Sequence, residues 1–302
     1  MPSSLKAAVD IGTSQIRLAV VEVDQNGTTR LLAYGLDNSG GLKSGIIENT
    51  EEVKNRIIEC MSKVELSYKV KISDVVSALP GITVNETTSV AGFEQLVQSL
   101  NNSSLNLKKV YLKNHMAANS ILTIEEKSNS VLVIDIGAGT TSFSFYVSGK
   151  LLKALTIPIA GDSITSDLTF ALRTSNALAE KIKTELCNVS DLNSFEFTIP
   201  ALSSGPERKL SAATALQIIE PRITEIFELI SHAKKELGSV GDQIQSVVLT
   251  GGTSLTPTIS KICSDVFGLE TRIGSPDWGF SVPVELKSPR TSVLAGLIQA
   301  ID

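Results

Sequence analysis

Two short runs of this sequence carry residue types suited to holding phosphate. They are Asp10-Ile11-Gly12-Thr13-Ser14 and Asp135-Ile136-Gly137-Ala138-Gly139-Thr140-Thr141. Each follows an apolar run (Ala7 to Val9; Val131 to Ile134) and precedes another (Ile16 to Val21; Phe143, Phe145 and Tyr146). Each therefore reads as a tight turn between two strands, with its amides at a sheet edge. Glycine lets the main chain approach a ligand, and successive N–H groups can bind phosphate oxygens. Thr13, Ser14, Thr140 and Thr141 add hydroxyl donors, while Asp10 and Asp135 can hold a hydrated magnesium ion through water. One such run is equally a glycine turn with a capping aspartate. Two copies with matching strands favour a clamp on a polyphosphate from both sides. A dinucleotide fingerprint starting at Gly137 would need a helix next and a third glycine at 142, where Ser142 instead begins a strand. No Walker sequence occurs.

A third run, Leu249-Thr250-Gly251-Gly252-Thr253-Ser254, lies between a strand at Ser246 to Leu249 and a helix around 257–267. Its glycines can pack against a base or reach a phosphate at a helix N-terminus. Alone, it is also an ordinary strand-to-helix turn.

The elements that must position these turns form a repeat. After the first turn come Asn26-Gly27, a hairpin dipeptide, and a third strand with Leu31, Leu32 and Tyr34; after the second come Ser148-Gly149 and Leu151-Leu152. Asn49 and Glu52 have capping-box spacing, predicting a helix over about 50–64. Further along, the patterns predict a strand at 75–79, a helix at 93–100 and a strand at 109–112. Helices follow at 162–172 and 177–186, and Ile219, Ile223, Ile226, Phe227 and Ile230 mark one face of a longer one. The expected fold is α/β: two domains with duplicated mixed, largely parallel sheets flanked by helices. The cluster Ser203-Ser204-Gly205-Pro206 reads as a loop.

Composition narrows the partners. The 302 residues carry a net charge of −5 with scattered lysines and arginines, which leaves no basic stripe for nucleic acid. Cys60, Cys187 and Cys263 lack metal-ligand spacing, so neither zinc nor disulfides are expected and a reducing cytoplasm fits. No run of about 18 apolar residues occurs that would span a membrane.

In this order the three turns resemble the superfamily of actin, sugar kinases and heat-shock chaperone ATPases. Within it the chain resembles the FtsA family of bacterial cell division. Gly41-Leu42-Lys43-Ser44-Gly45-Ile46-Ile47 and the segment Ile157 to Asp167 carry that likeness. So do Leu172 to Ser175, Ile219 to Arg222, Val248 to Gly252, Ser288-Pro289 and Ala295 to Leu297.

The resemblance implies ATP with magnesium between two domains, residues 1–130 and 131–302, with a small subdomain at about 187–217 and a C-terminal helix at about 290–300 returning to the first domain. It carries the first phosphate loop onto Asp10, Gly12, Thr13 and Ser14, the second onto Asp135, Gly137, Gly139, Thr140 and Thr141, and the adenosine onto Gly251, Gly252 and Thr253. Glu180 and Lys183 fall where relatives contact ribose or base, and are equally a solvated helix face. The FtsZ C-terminal peptide is the implied partner of the small subdomain, with Arg208, Lys209 and Arg222 to attract an acidic tail. A small-molecule kinase and a PilM-like pilus adaptor are the alternatives.

Three departures stand out. Ser142 replaces the usual aspartate of the second loop. Lys113-Asn114-His115-Met116 aligns with a segment that in related ATPases places an acidic or amide group near the attacking water, so Asn114 is a weak catalytic candidate and at most slow hydrolysis is expected. Gly81 to Gly92 is too short for subdomain IC, and the chain stops before the membrane helix typical of the family, so weak self-assembly and no direct membrane binding are expected.

Overall fold

The structure is a computed structural model that describes residues 4–79, 87–201 and 206–301, with the backbone alone over 87–93. Residues 203–205 of the expected loop and 81–86 of the segment from 81 lie outside the described residues.

The first half opens with three strands: β1 (Ser4–Ile11), β2 (Gln15–Val23) and β3 (Thr29–Asn38). The Asp10 turn joins β1 to β2 and fixes an antiparallel register in which Asp10 faces Arg17. The next turn spans five residues instead of two: Asp24 Oδ1 accepts from the amides of Asn26 and Thr28, and Gly27 adopts a left-handed φ of 80°. A small hairpin, β4 (Leu42–Lys43) with β5 (Ile46–Ile47), follows. Helix α1 (Thr50–Tyr68) starts where Asn49 caps the Glu52 amide and buries Val53, Ile57, Cys60 and Val64 on the sheet. Then come β6 (Asp74–Leu79), α2 (Thr87–Asn102), β7 (Asn106–Leu112), α3 (Lys113–Ile121) and α4 (Ile124–Ser128).

The second half repeats the plan with β8 (Val131–Ile136), β9 (Thr141–Val147) and β10 (Lys150–Ile157). Helices α5 (Gly161–Leu172) and α6 (Asn176–Leu186) follow, then the hairpin β11 (Glu196–Ile199) and β12 (Arg208–Ser211) and the long helix α7 (Ala212–Lys235). Strand β13 (Ser246–Thr250), α8 (Ile259–Phe267), β14 (Glu270–Ile273) and α9 (Ser292–Gln299) complete the chain.

The two five-stranded sheets have the same order, β3-β2-β1-β6-β7 and β10-β9-β8-β13-β14. In each, the first three strands are antiparallel and the last two join in parallel. The sheets are thus evenly mixed where a largely parallel arrangement was expected, because tight turns can only connect antiparallel neighbours. A core of Phe143, Phe145, Phe227 and aliphatic residues fills the second half. In the first, α1 and α2 cover one face of the sheet and α9 covers the other, packing Leu294, Ala295 and Leu297 near Ala8, Ala19, Val21, Val76 and Ala78. Lys6 Nζ donates to the Ile301 carbonyl at 3.0 Å and Tyr111 Oη to that of Ala300 at 2.7 Å, tying the last described residues to the first sheet.

Candidate functional site

Both glycine turns open onto one cleft with about 650 Å³ of atom-free space, open to solvent at its mouth. Its lining combines Asp10, Gly12, Thr13 and Ser14 of the first turn, Asp135, Gly137, Gly139 and Thr140 of the second, and Gly251 with Gly252. In both turns the first glycine amide donates back across the hairpin, Gly12 to Gln15 and Gly137 to Thr140, each at 2.9 Å. The turns touch: a Cβ on Gly139 would lie 2.6 Å from Thr13 Oγ1 and 3.0 Å from the Ser44 Cα. The β4–β5 hairpin closes over them, with the Gly45 amide donating to Thr13 Oγ1 at 3.2 Å. Amides at the start of α5 hold the second turn, Gly161 to the Gly137 carbonyl at 3.1 Å and Asp162 to that of Ala138 at 2.7 Å.

Four expected ligand residues lie outside the lining. Thr141 Oγ1 donates to the Ile159 carbonyl at 2.7 Å and Thr253 Oγ1 to the Gly137 carbonyl at 2.8 Å, so both hydroxyls serve the backbone of the loops. Lys183 is buried, and its ammonium donates to the Gly161 carbonyl (2.9 Å) and Thr165 Oγ1 (2.7 Å) and pairs with Glu180 at 2.7 Å. Neither α6 residue is a freely solvated charge, and together they brace the α5 N-terminus behind the second turn.

Asn114 is turned away from the cleft. It is buried, and its amide donates to the carbonyls of Phe143 (3.2 Å) and Leu155 (3.1 Å). His115 Nδ1 lies 3.1 Å from the Tyr146 hydroxyl, and burial lowers its pKa. From this segment it is Lys113 that lines the cleft. Arg208 and Lys209, outside the cleft lining, lie on β12, bound to the Pro200 carbonyl and Thr198 Oγ1. Arg222, on α7, makes a two-pronged pair with Asp167 at 2.7 and 3.0 Å and a further pair with Glu225, so its charge is already matched.

Asp10 departs most from expectation. Its Oδ2 lies 3.0 Å from Arg17 Nη1 and its Oδ1 2.7 Å from Lys113 Nζ, with the carboxylate almost wholly buried. Burial pushes its pKa up, but the charges and hydrogen bonds of Lys113 and Arg17 outweigh that and hold it below the usual carboxylate range. Magnesium is usually held through one or two carboxylates together with substrate phosphates. Each oxygen of Asp10 already lies within 3.0 Å of a fixed cation, leaving Asp135 as the member of the expected pair without one. The donor set therefore does not fit the magnesium expected at Asp10. The Arg17 contact could have been read from the hairpin register; Lys113, about a hundred residues away in the chain, could not.

Asp135 sits at the equivalent place in the repeat, paired in register with Ser142 where Asp10 is paired with Arg17. Burial, and secondarily the Asp10 charge, push its pKa up to about 6, with Lys113 and Arg17 opposing. A carboxyl whose folded-state pKa is raised favours folding at low pH, and that contribution is lost as pH rises through the folded value. Asp135→Asn is accordingly expected to stabilise the ligand-free protein by about 2 kcal/mol above pH 6, an amount reduced by the carboxyl's contact with cleft water, and by almost nothing near pH 4. Urea unfolding of both proteins at the two pH values checks this; an equal gain at both would show that charge is not the cause.

The family model for cell division protein FtsA matches residues 132–296, more than half of the chain. The FtsA of Pseudomonas aeruginosa is 29% identical over 256 residues, 84% of this chain and 58% of that relative's length. The ethanolamine utilization protein EutJ of Carboxydothermus hydrogenoformans superposes with a TM-score of 0.71 at 21% identity, covering 99% of this chain and 90% of that one. MreB5 of Spiroplasma citri, solved bound to ADP, gives 0.73 at 19% identity, covering 97% and 94%. The fold is the actin-like one.

Proposed function

Because the chain belongs to the FtsA cell-division family, we propose that it is a nucleotide-regulated scaffold, binding ATP in the cleft between its halves and recruiting a division partner such as the FtsZ C-terminal peptide. The observation that carries this reading is the pair of facing glycine turns on duplicated sheets, in a cleft that Gly251 and Gly252 also line. The ADP held by MreB5 supports an adenine nucleotide as the ligand. In the proposed division, residues 1–130 form domain I and 131–302 domain II, with α9 returning to domain I. The β12 residues Arg208 and Lys209 are the better anchors for an acidic tail, since Arg222 is matched by Asp167 and Glu225. Only seven residues separate β6 from α2, too few for a further subdomain, which supports weak self-association. A cytoplasmic place, at the division site through partners, follows from the same reading.

The cleft supports binding better than turnover. Asp10 is held by two cations, and Asp135 is the other carboxylate in the lining, so a kinase with a second substrate pocket finds no separate base. Calorimetry should show saturable ATP and ADP binding, with hydrolysis far below the median enzyme rate of about 10 per second. Absence of binding by any nucleotide would remove the proposal, and turnover stimulated by a sugar would replace it with the kinase.

A further inference from the structure

The cleft carries a fixed cation where the family resemblance calls for a metal. Lys113 is the first residue of α3, whose N-cap Leu112 offers no side-chain hydrogen bond. A positive charge there opposes the helix dipole, so helix electrostatics do not account for a lysine at this position. What holds it are Asp10 Oδ1 and the Ile11 carbonyl, both at 2.7 Å, on the turn that lines the cleft. An ammonium has three donors. One is spent on the Ile11 carbonyl and the ammonium pairs with the Asp10 carboxylate, while the side chain itself lines the cleft.

Charge balance points the same way. Arg17, Lys113 and Arg290 line the cleft against Asp10 and Asp135, so three cations face two carboxylates. A dication beside Asp10 would sit against Arg17 and Lys113, both already within 3.0 Å of the carboxylate it would need. A polyphosphate anion meets no such conflict, and a charge-assisted N–H···O bond is among the stronger contacts a protein can offer it.

We infer that Lys113, locked to Asp10 opposite Arg17, is the built-in counter-cation of the bound polyphosphate, and that this chain binds its nucleotide without a divalent metal. The inference rests on the nucleotide reading of the cleft, and its test separates the two.

Titrate the full chain with ATP and with ADP by calorimetry, once in EDTA and once in excess magnesium. Binding in EDTA as tight as, or tighter than, in magnesium is expected. Lys113→Gln should weaken binding in EDTA roughly ten- to a hundredfold, the worth of one charged hydrogen bond. Magnesium should then restore part of the loss, because an Asp10 oxygen has been freed. Lys113→Arg should keep the metal independence. Wild-type binding that requires magnesium overturns the inference while leaving the nucleotide reading standing, and this comparison needs no variant to fold. Failure to bind under either condition overturns both. Unchanged affinity of Lys113→Gln in EDTA also overturns the inference, since the lysine would then only neutralise Asp10.

Discussion

Gly296→Val should cost at least 3 kcal/mol of stability, the upper part of the range for overpacking a buried position. Gly296 lies in α9 where that helix crosses α3. A Cβ added there would fall 1.9 Å from the Met116 carbonyl oxygen, 2.5 Å from its carbon and 2.9 Å from the Cα. These are backbone atoms of a helix and cannot swing aside. The helices would have to separate, loosening Leu294, Leu297, Met116 and Ala117, all at most 1% exposed. Even Gly296→Ala forces the move. Gly268→Ala is the control, since its φ is +66° but nothing lies within 4 Å of the added carbon, so only backbone strain of about 1 kcal/mol is expected. Urea midpoints compare the two, and an alanine at 296 no costlier than one at 268 would show that the crossing is looser than described.

Gly251→Val should reduce nucleotide affinity at least a hundredfold, about 3 kcal/mol. The residue holds φ +87° at the end of β13, a conformation open to glycine and strained for valine. Its added Cβ would lie 2.3 Å from Asp135 Oδ1 and 2.5 Å from the Ile136 carbonyl. Relief requires shifting β13 from β8, or turning Asp135 into the cleft and toward the phosphates. Either change ruins the clamp. Calorimetric titration of a variant shown folded by circular dichroism checks the prediction, and near-normal affinity would place the ligand elsewhere.

The turns were legible because Asp-x-Gly between apolar runs is a local signal, and its recurrence disclosed the duplicated sheets. Helix starts were legible where a cap precedes a periodic face, as at Asn49. The start of α7 was not: the apolar periodicity is plain only from Ile219, yet Ser211 caps the Thr214 amide and Ala212, Ala215 and Leu216 extend the buried stripe by two turns. Hydroxyl roles were also hidden. Thr141 and Thr253 have the right chemistry to hold phosphate, but each lies beside a backbone carbonyl of another loop, which no local pattern reveals. Lys113 was invisible for a related reason, because its meaning comes from a carboxylate about a hundred residues earlier in the chain.

The return of α9 to the first sheet sets the order in which the protein can be finished on the ribosome. The sheet face of Ala8, Ala19, Val21, Val76 and Ala78 is complete once β6 has emerged, and Met116 and Ala117 of α3 join it soon after, yet its α9 cover lies about 210 residues later. At about 5–20 residues per second, that face waits roughly 10–40 s for α9. The second half, whose core draws on residues 132–263, can close in the meantime. The waiting surface is made of alanine and valine, side chains that expose little apolar area. A nascent chain halted before Ser292 should therefore hold a folded second half beside a first half still sensitive to protease.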